Sequence, residues 1–420
     1  MSARLALALG VVSALAAGLP ATAMSLGEAI AMAQRANPTL AQSRDEADAA
    51  KARLAQAHAA ALPSVTLNGS AEGGSYNLGG FFGFRRSTVY PSEVSLELRQ
   101  PIYAGGGIAA GIDRARAAQE AAVLRVGGTR ALLSAQVAEA YVDVLSAREV
   151  ARLSDIQVKQ LTEVARHAKL RFADGEIPRT DLAEAEARLA QAQAGQAQAA
   201  GDVARAESHF QSVVGAAPDA LEPPAPPPLP VPTLDDAVAK ASDSSPTLLA
   251  AEASLRSAEA ALRAAQAERL PSAALTVSAG AMRDQFFPGY RNDAVAVGVE
   301  GHWTLFAGGA VTARIDEARA ARRSAEDALD AARAQVRDAV VDAWEDAQVA
   351  RSTAKAAADQ AAAAETARDS VAQEVRVGQK PTLDLLNAEQ EALAADSALV
   401  RARGSVVVSA YRLSALLGMN

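Results

Sequence analysis

The sequence predicts an α+β membrane protein made from one unit written twice, each copy running helix, two strands, long helical hairpin. Three observations predict it. Short motifs recur at a fixed spacing along the 420 residues. Two stretches switch from helical to alternating period, with aromatic residues around them. Two proline-free runs of about 65 residues exceed the usual length of globular helices and point to coiled coil.

The repeat decides the architecture. Leu26-Gly-Glu-Ala-Ile, Pro38-Thr-Leu40 and Leu62-Pro63-Ser64 return 208 residues later as Leu234-Asp-Asp-Ala-Val, Pro246-Thr-Leu248 and Leu270-Pro271-Ser272. Tyr103-Ala-Gly-Gly106 and Gly175-x-x-Pro178-x-x-Asp181-Leu182 return 203 residues later as Phe306-Ala-Gly-Gly309 and Gly378-x-x-Pro381-x-x-Asp384-Leu385. The slip between the two spacings falls within one segment, as a loop-length difference between copies would. The boundaries follow: 1–23 a leader, 24–215 the first copy, 216–232 a proline-rich link, 233–420 the second copy.

The leader has Arg4, an apolar stretch from Leu5 to Leu19 and the small-residue site Ala21-Thr-Ala23, the pattern of a cleaved secretory signal. Leu26 to Ala36 reads as a short amphipathic helix stopped by Asn37-Pro38, because proline disfavours helix in the residue before it. A second helix runs from Thr39 to Leu62 and stops at Pro63. Strands are expected within 64–104: Val65, Leu67, Gly69 and Ala71 share one face, and Val94, Leu96, Leu98 and Ile102 alternate with Glu93, Ser95, Glu97 and Arg99. Gly73 to Arg86 reads as a loop. In the second copy, within 272–306, the apolar rows are Leu275, Val277, Ala279, Ala281 and Val295, Val297, Val299, Trp303, Leu305.

Helical hairpins follow, at 108–214 with a tip at 173–178 and at 311–417 with a tip at 376–381. Each first arm would be a rod of about 100 Å. Gly175, Pro178, Gly378 and Pro381 are the tip turns; Gly105, Gly106, Gly308 and Gly309 turn each strand pair into its helix. Pro223 to Pro232 should be a stiff, extended connector.

Composition narrows the class. The net charge is −8, which gives no electrostatic reason to bind nucleic acid. There are no cysteines, hence no disulfide, no thiolate metal site and no lipid-modified N-terminal cysteine. After the leader no apolar run is long enough for a spanning helix. Eleven of the sixteen aromatic residues lie in 64–106 or 272–309, at strand ends and loops: Tyr76, Phe81, Phe82, Phe84, Tyr90, Tyr103, Phe286, Phe287, Tyr290, Trp303 and Phe306. Barrels of the outer membrane carry such girdles and alternate apolar-out with polar-in. Four strands per chain cannot close, and an open edge in lipid strands backbone groups. Copies must therefore share one barrel; the small lumen-side residues Ala294, Ala296 and Gly298 favour three chains and a wet lumen over two chains and a filled one.

In this order and duplicated, the motifs resemble the TolC-type outer membrane efflux protein family over nearly all of 25–420. They are Ala36-Asn37-Pro38-Thr-Leu40, Leu62-Pro63-Ser64, Gln100-Pro101-Ile-Tyr-Ala-Gly-Gly106, Trp303-Thr-Leu-Phe-Ala-Gly-Gly309 and Val377-Gly378-Gln-Lys-Pro-Thr-Leu-Asp384-Leu-Leu-Asn387-Ala-Glu. The resemblance implies a homotrimer with a twelve-stranded outer-membrane barrel, continued by a periplasmic α-helical barrel closed at the hairpin tips. It implies a passive exit duct for a tripartite efflux or type I secretion system, working with a periplasmic adaptor and an inner-membrane transporter. It places Asp384 in an acidic ring at the constriction, with Asn387 at the next ring position. It makes Thr180, Asp181 and Lys380 contacts between neighbouring hairpin tips. The family's tip tyrosine is replaced by Val375.

No enzyme constellation emerges. His58, His167, His209 and His302 are scattered, without metal-ligand spacing, and no cofactor or metal site is expected. Ser352-Thr-Ala-Lys355 has the SxxK spacing but none of its companion motifs. Gly105-Gly-Gly107 looks like a phosphate loop, yet it recurs at the repeat spacing after antiparallel strands. The alternative to a duct is a periplasmic coiled-coil adaptor or scaffold, whose β-part would be soluble.

Overall fold

The computed structural model describes residues 23–76 and 87–419. The leader and the aromatic residues Phe81, Phe82 and Phe84 lie outside the described residues. Among the described residues there are eight helices and six strands, two strands more than the four expected: α1 Leu26–Ala36, α2 Pro38–Ala59, β1 Ser64–Ala71, β2 Gly74–Tyr76, β3 Ser87–Val89, β4 Ser92–Tyr103, α3 Gly107–Ala173, α4 Arg179–Val214, α5 Leu234–Ser244, α6 Pro246–Ala267, β5 Ser272–Arg283, β6 Arg291–His302, α7 Ala310–Arg376 and α8 Thr382–Leu416. None of these helices is long and apolar enough to cross a membrane.

The chain divides into two compact units that cut across the repeat. Of the described residues, a sheet unit gathers those within 38–134, 229–348 and 409–419; a tip unit gathers those within 23–37, 135–228 and 349–408. Each unit therefore draws on both copies.

In the sheet unit, four antiparallel strands lie in the order β1-β4-β5-β6, so the two copies join at β4 and β5. The register aligns the alternation across all four. Val65, Leu98, Val277 and Val297 form one cross-sheet row, and Leu67, Leu96, Ala279 and Val295 the next. The opposite face carries Thr66, Glu97, Ser278 and Ala296, then Asn68, Ser95, Gly280 and Ala294. Every described position of β1 and β6 is exposed, and Val295 is 78 % so.

Two details differ from the sequence expectation. The stretch after Gly73 is not all loop, because β2 and β3 pair into a short antiparallel ribbon around 77–86, the part outside the described residues. Trp303 and Leu305 do not prolong β6, which ends at His302. The Trp303 indole N–H donates to the Arg269 carbonyl at 3.1 Å, anchoring this segment to the chain just before β5 and off the ladder.

One buried apolar cluster joins three elements of the sheet unit. Ala237, Ala241, Val336, Val340, Trp344, Leu413 and Leu417 cluster where α5, α7 and the end of α8 meet, and Leu229 and Val231 of the proline-rich link pack on them. That link is thus partly held by burial of its apolar side chains. In the tip unit, Ser25 and Glu28 form a capping box that starts α1. Tyr141 and Phe210 are fully buried there. Alanine-rich helices bury little area per residue, so they must approach closely. Gly404 permits this: a Cβ on it would run into the Val142 side chain of α3.

Candidate channel edges and hairpin-tip constriction

Two features of the sheet have functional meaning. Among the described residues, the outer strands β1 and β6 each leave one edge unpaired, and one sheet face is apolar and uncovered. On the polar face Arg99 of β4 meets Glu300 of β6 at 2.8 Å. Backbone groups on a free edge demand partners in a membrane, so the sheet reads as an arc of a larger barrel.

The turns that carry the sheet into the helices are built identically. Gly105 and Gly106 have φ of 57° and 84°, Gly308 and Gly309 of 58° and 88°. The amide of Gly107 donates to the Ala104 carbonyl at 2.8 Å, and that of Ala310 to Ala307 at 3.0 Å. Two consecutive left-handed residues inside such a bond make a type I′ turn, which glycine adopts without a steric penalty. The phosphate-loop likeness of this glycine run is thereby explained as a turn.

The hairpin tips also share one design. Gly175 and Gly378 have φ of 74° and 78°. Glu176 N–H donates to Arg171 O and Gly175 N–H to Phe172 O; Gln379 donates to Glu374 and Gly378 to Val375. This is the Schellman ending, in which a left-handed residue lets two amides satisfy the last helical carbonyls. Pro178 then caps the next helix in an extended conformation, and Pro381 holds the same place in the second copy. The Gly-x-x-Pro spacing is thus a stop-and-restart signal.

The predicted tip residues sit on these turns. Asp181 and Asp384 lie in the first turns of α4 and α8, where a helix N-terminus favours negative charge. Thr180 Oγ1 is 3.4 Å from Asp181 Oδ1. Lys380 Nζ lies 2.8 Å from Glu374 Oε2, so within the chain its ion-pair partner is the end of α7 and not Asp181. Glu374, and secondarily Asp384, hold the Lys380 ammonium above its ordinary pKa.

The second arm of the second hairpin is tied to the first hairpin. Leu386 of α8 is buried with Leu161 of α3 and Ala192 of α4, flanked by Val158, Val164 and Leu189. Beside it, Arg188 of α4 donates to Asn387 Oδ1 at 3.2 Å and to Gln390 Oε1 at 2.9 Å. Sequence reasoning missed Arg188, which looks like one more charge on a solvated face. The signal was its repeat partner: 203 residues on, Arg188 becomes Glu391, and Asn387 corresponds to Glu184. Farther along, Tyr141 OH lies 2.6 Å from Met24 O and 2.7 Å from Glu222 O, clasping the N-terminal segment and the start of the link. Burial pushes its phenol up from the usual value. Among the described residues, no group of three or more His, Cys, Asp or Glu is arranged to hold a metal ion.

Comparison with known proteins bears on this arrangement. Residues 29–216 and 237–419 match the family described as outer membrane efflux protein. The outer membrane efflux protein BepC of Brucella suis is 33% identical over 280 residues, which is 66% of this chain and 61% of BepC. The chain thus matches under two thirds of that relative's length. Among solved structures, the Campylobacter jejuni CmeC outer membrane channel superposes with a TM-score of 0.84 at 15% identity, covering 94% of this chain and 85% of CmeC. The Neisseria gonorrhoeae MtrE outer membrane channel, in its open state, gives 0.78 at 23% identity, covering 94% and 89%. At these identities the likeness is one of fold.

Proposed function

The chain belongs to the outer membrane efflux protein family, and from that premise we propose that it is the outer-membrane exit duct of a tripartite efflux or type I secretion system. The observation that carries this is the four-stranded sheet with two free edges and a bare apolar face. Pairing β6 of one copy with β1 of the next extends the ladder. Three copies supply twelve strands, enough for a barrel with a lumen, with Val65, Leu67, Val295 and Val297 toward lipid and Glu97, Arg99 and Glu300 toward the lumen. The helical hairpins then form the periplasmic part, with the tips at its closed end.

The duct does no chemistry. An inner-membrane transporter supplies energy and selects cargo, and a periplasmic adaptor joins it to the tips. Asp384 and Asn387 stand at the constriction, and Thr180, Asp181 and Lys380 at contacts between neighbouring tips. The adaptor alternative requires a soluble β-part, and the uncovered valine rows argue against it.

The test is direct. Protein extracted from outer membranes in detergent should have the mass of three chains, migrate differently with and without heating, and form channels in planar bilayers. A monomer that forms no channels rejects the duct.

A further inference from the structure

We infer that Arg188 is a selectivity and positioning residue of the tip constriction, tying α4 to α8 and setting a cation beside the Asp384 carboxylate. The inference rests on the duct reading. A guanidinium only donates hydrogen bonds. The 3.2 and 2.9 Å contacts therefore require the amide oxygens of both Asn387 and Gln390 to face it. Asn387 is consequently engaged with α4, and its position relative to Leu386, buried at 4 % exposure against α3 and α4, holds that engagement in place.

Two consequences follow. The bond joins the returning arms of both hairpins, so α8 cannot swing away from α4 without breaking it. Asp384 lies three residues before Asn387, about 5–6 Å away between Cβ atoms on the same helix face. Arg188 thus brings positive charge to the helical turn that follows the ring carboxylate. The tie is written once per chain: its repeat counterpart pairs Glu391 with Glu184, which cannot make the same bond.

The experiment uses the full-length protein in planar bilayers, recording resting conductance, reversal potential under a salt gradient, and block by a trivalent cation. R188A should raise resting conductance about 2- to 5-fold, as expected when a two-state closure loses one modest tie per copy, and should shift the reversal potential toward cations. R188K keeps the charge but not the planar fork, so it should raise conductance while leaving selectivity near the parent's. N387D should lower resting conductance through a new ion pair with Arg188 and leave trivalent block unchanged. Oligomer mobility in detergent confirms that each variant assembles. If the parent conducts and R188A matches it in conductance and selectivity, or if N387D strengthens trivalent block, Arg188 does not act as inferred. A parent that gives no channels overturns the duct reading itself.

Discussion

Arg99 on β4 and Glu300 on β6 join at 2.8 Å over the strand that separates them. Both are about half exposed on the polar face, where an ion pair contributes about 0–1 kcal/mol. R99Q should therefore leave the thermal stability of the assembled protein within about 1 kcal/mol of the parent. It frees Glu300, so the reversal potential should move toward cations; E300Q should move it the opposite way. No shift in either variant would mean that this face does not line a conducting path.

The two barrel-to-helix turns make a matched comparison. Gly105 and Gly308 share nearly the same φ, yet their surroundings differ. A Cβ on Gly105 would lie 2.7 Å from Leu270 Cβ and 3.0 Å from Ala267 O, whereas nothing lies within 4 Å of one on Gly308. G308A should cost about 1 kcal/mol, the usual penalty for alanine at positive φ. G105A adds a clash with backbone and should cost about 1–3 kcal/mol more. Paired thermal melts of the two variants decide the matter, and equal losses would reject the packing difference.

Tyr141→Phe removes a hydroxyl whose single proton is shared between the Met24 and Glu222 carbonyls. It should destabilise the protein by about 1–3 kcal/mol and open the 216–222 segment to protease. Unchanged digestion there would show that the main-chain bonds from Met24 to Ala220 and from Glu222 to Met24 suffice.

How much of this was legible in the sequence depends on how far apart the partners lie along it. The strands, rods and turns declare themselves locally, through alternation, absence of proline, and glycine at positions that become left-handed. The β4–β5 junction was not read from the sequence, because a repeat does not say which strands pair across it. The Arg188 contact did not show, because it links α4 to α8 across about 200 residues and neither helix has a strong apolar stripe to set its rotation. Lys380 is a different case. The resemblance implies a contact between neighbouring tips, whereas within one chain Glu374, six residues before Lys380 and on the other side of the Schellman turn, is brought beside it by the turn itself.

For Lys380, the intrachain pair and the proposed contact with a neighbouring tip make different demands. K380A and D181A should each raise resting conductance if the neighbouring-tip contact latches closure, and E374Q should not. If E374Q alone changes it, the intrachain pair matters instead. The pH dependence has one sign. The folded Lys380 pKa lies above its ordinary value, so its contribution is present below that value and is lost as pH rises through the raised one. Resting conductance should be flat around neutral pH and change only as pH rises through the raised Lys380 pKa, as a bilayer pH series would record.

Asp384 carries the remaining prediction. In the proposed trimer three Asp384 carboxylates would surround one axis and repel more strongly as they approach, so the ring should hold multivalent cations and prefer cations to anions. D384N should abolish trivalent-cation block and reduce cation selectivity while assembly persists. Intact block in D384N would place the constriction elsewhere.

The junction of the two copies at β4 and β5 also bears on the order in which such a wall can be assembled. For the proposed twelve-stranded ring, a half-length chain with one strand pair would need six separate molecules to close it, and its rate would depend steeply on concentration. The proline-rich link keeps one such seam always at high local concentration. Three encounters then replace six, which matters most for an exported chain that is dilute and has uncovered valine rows while it waits. On this view the duplication is a device for assembly kinetics as much as for shape.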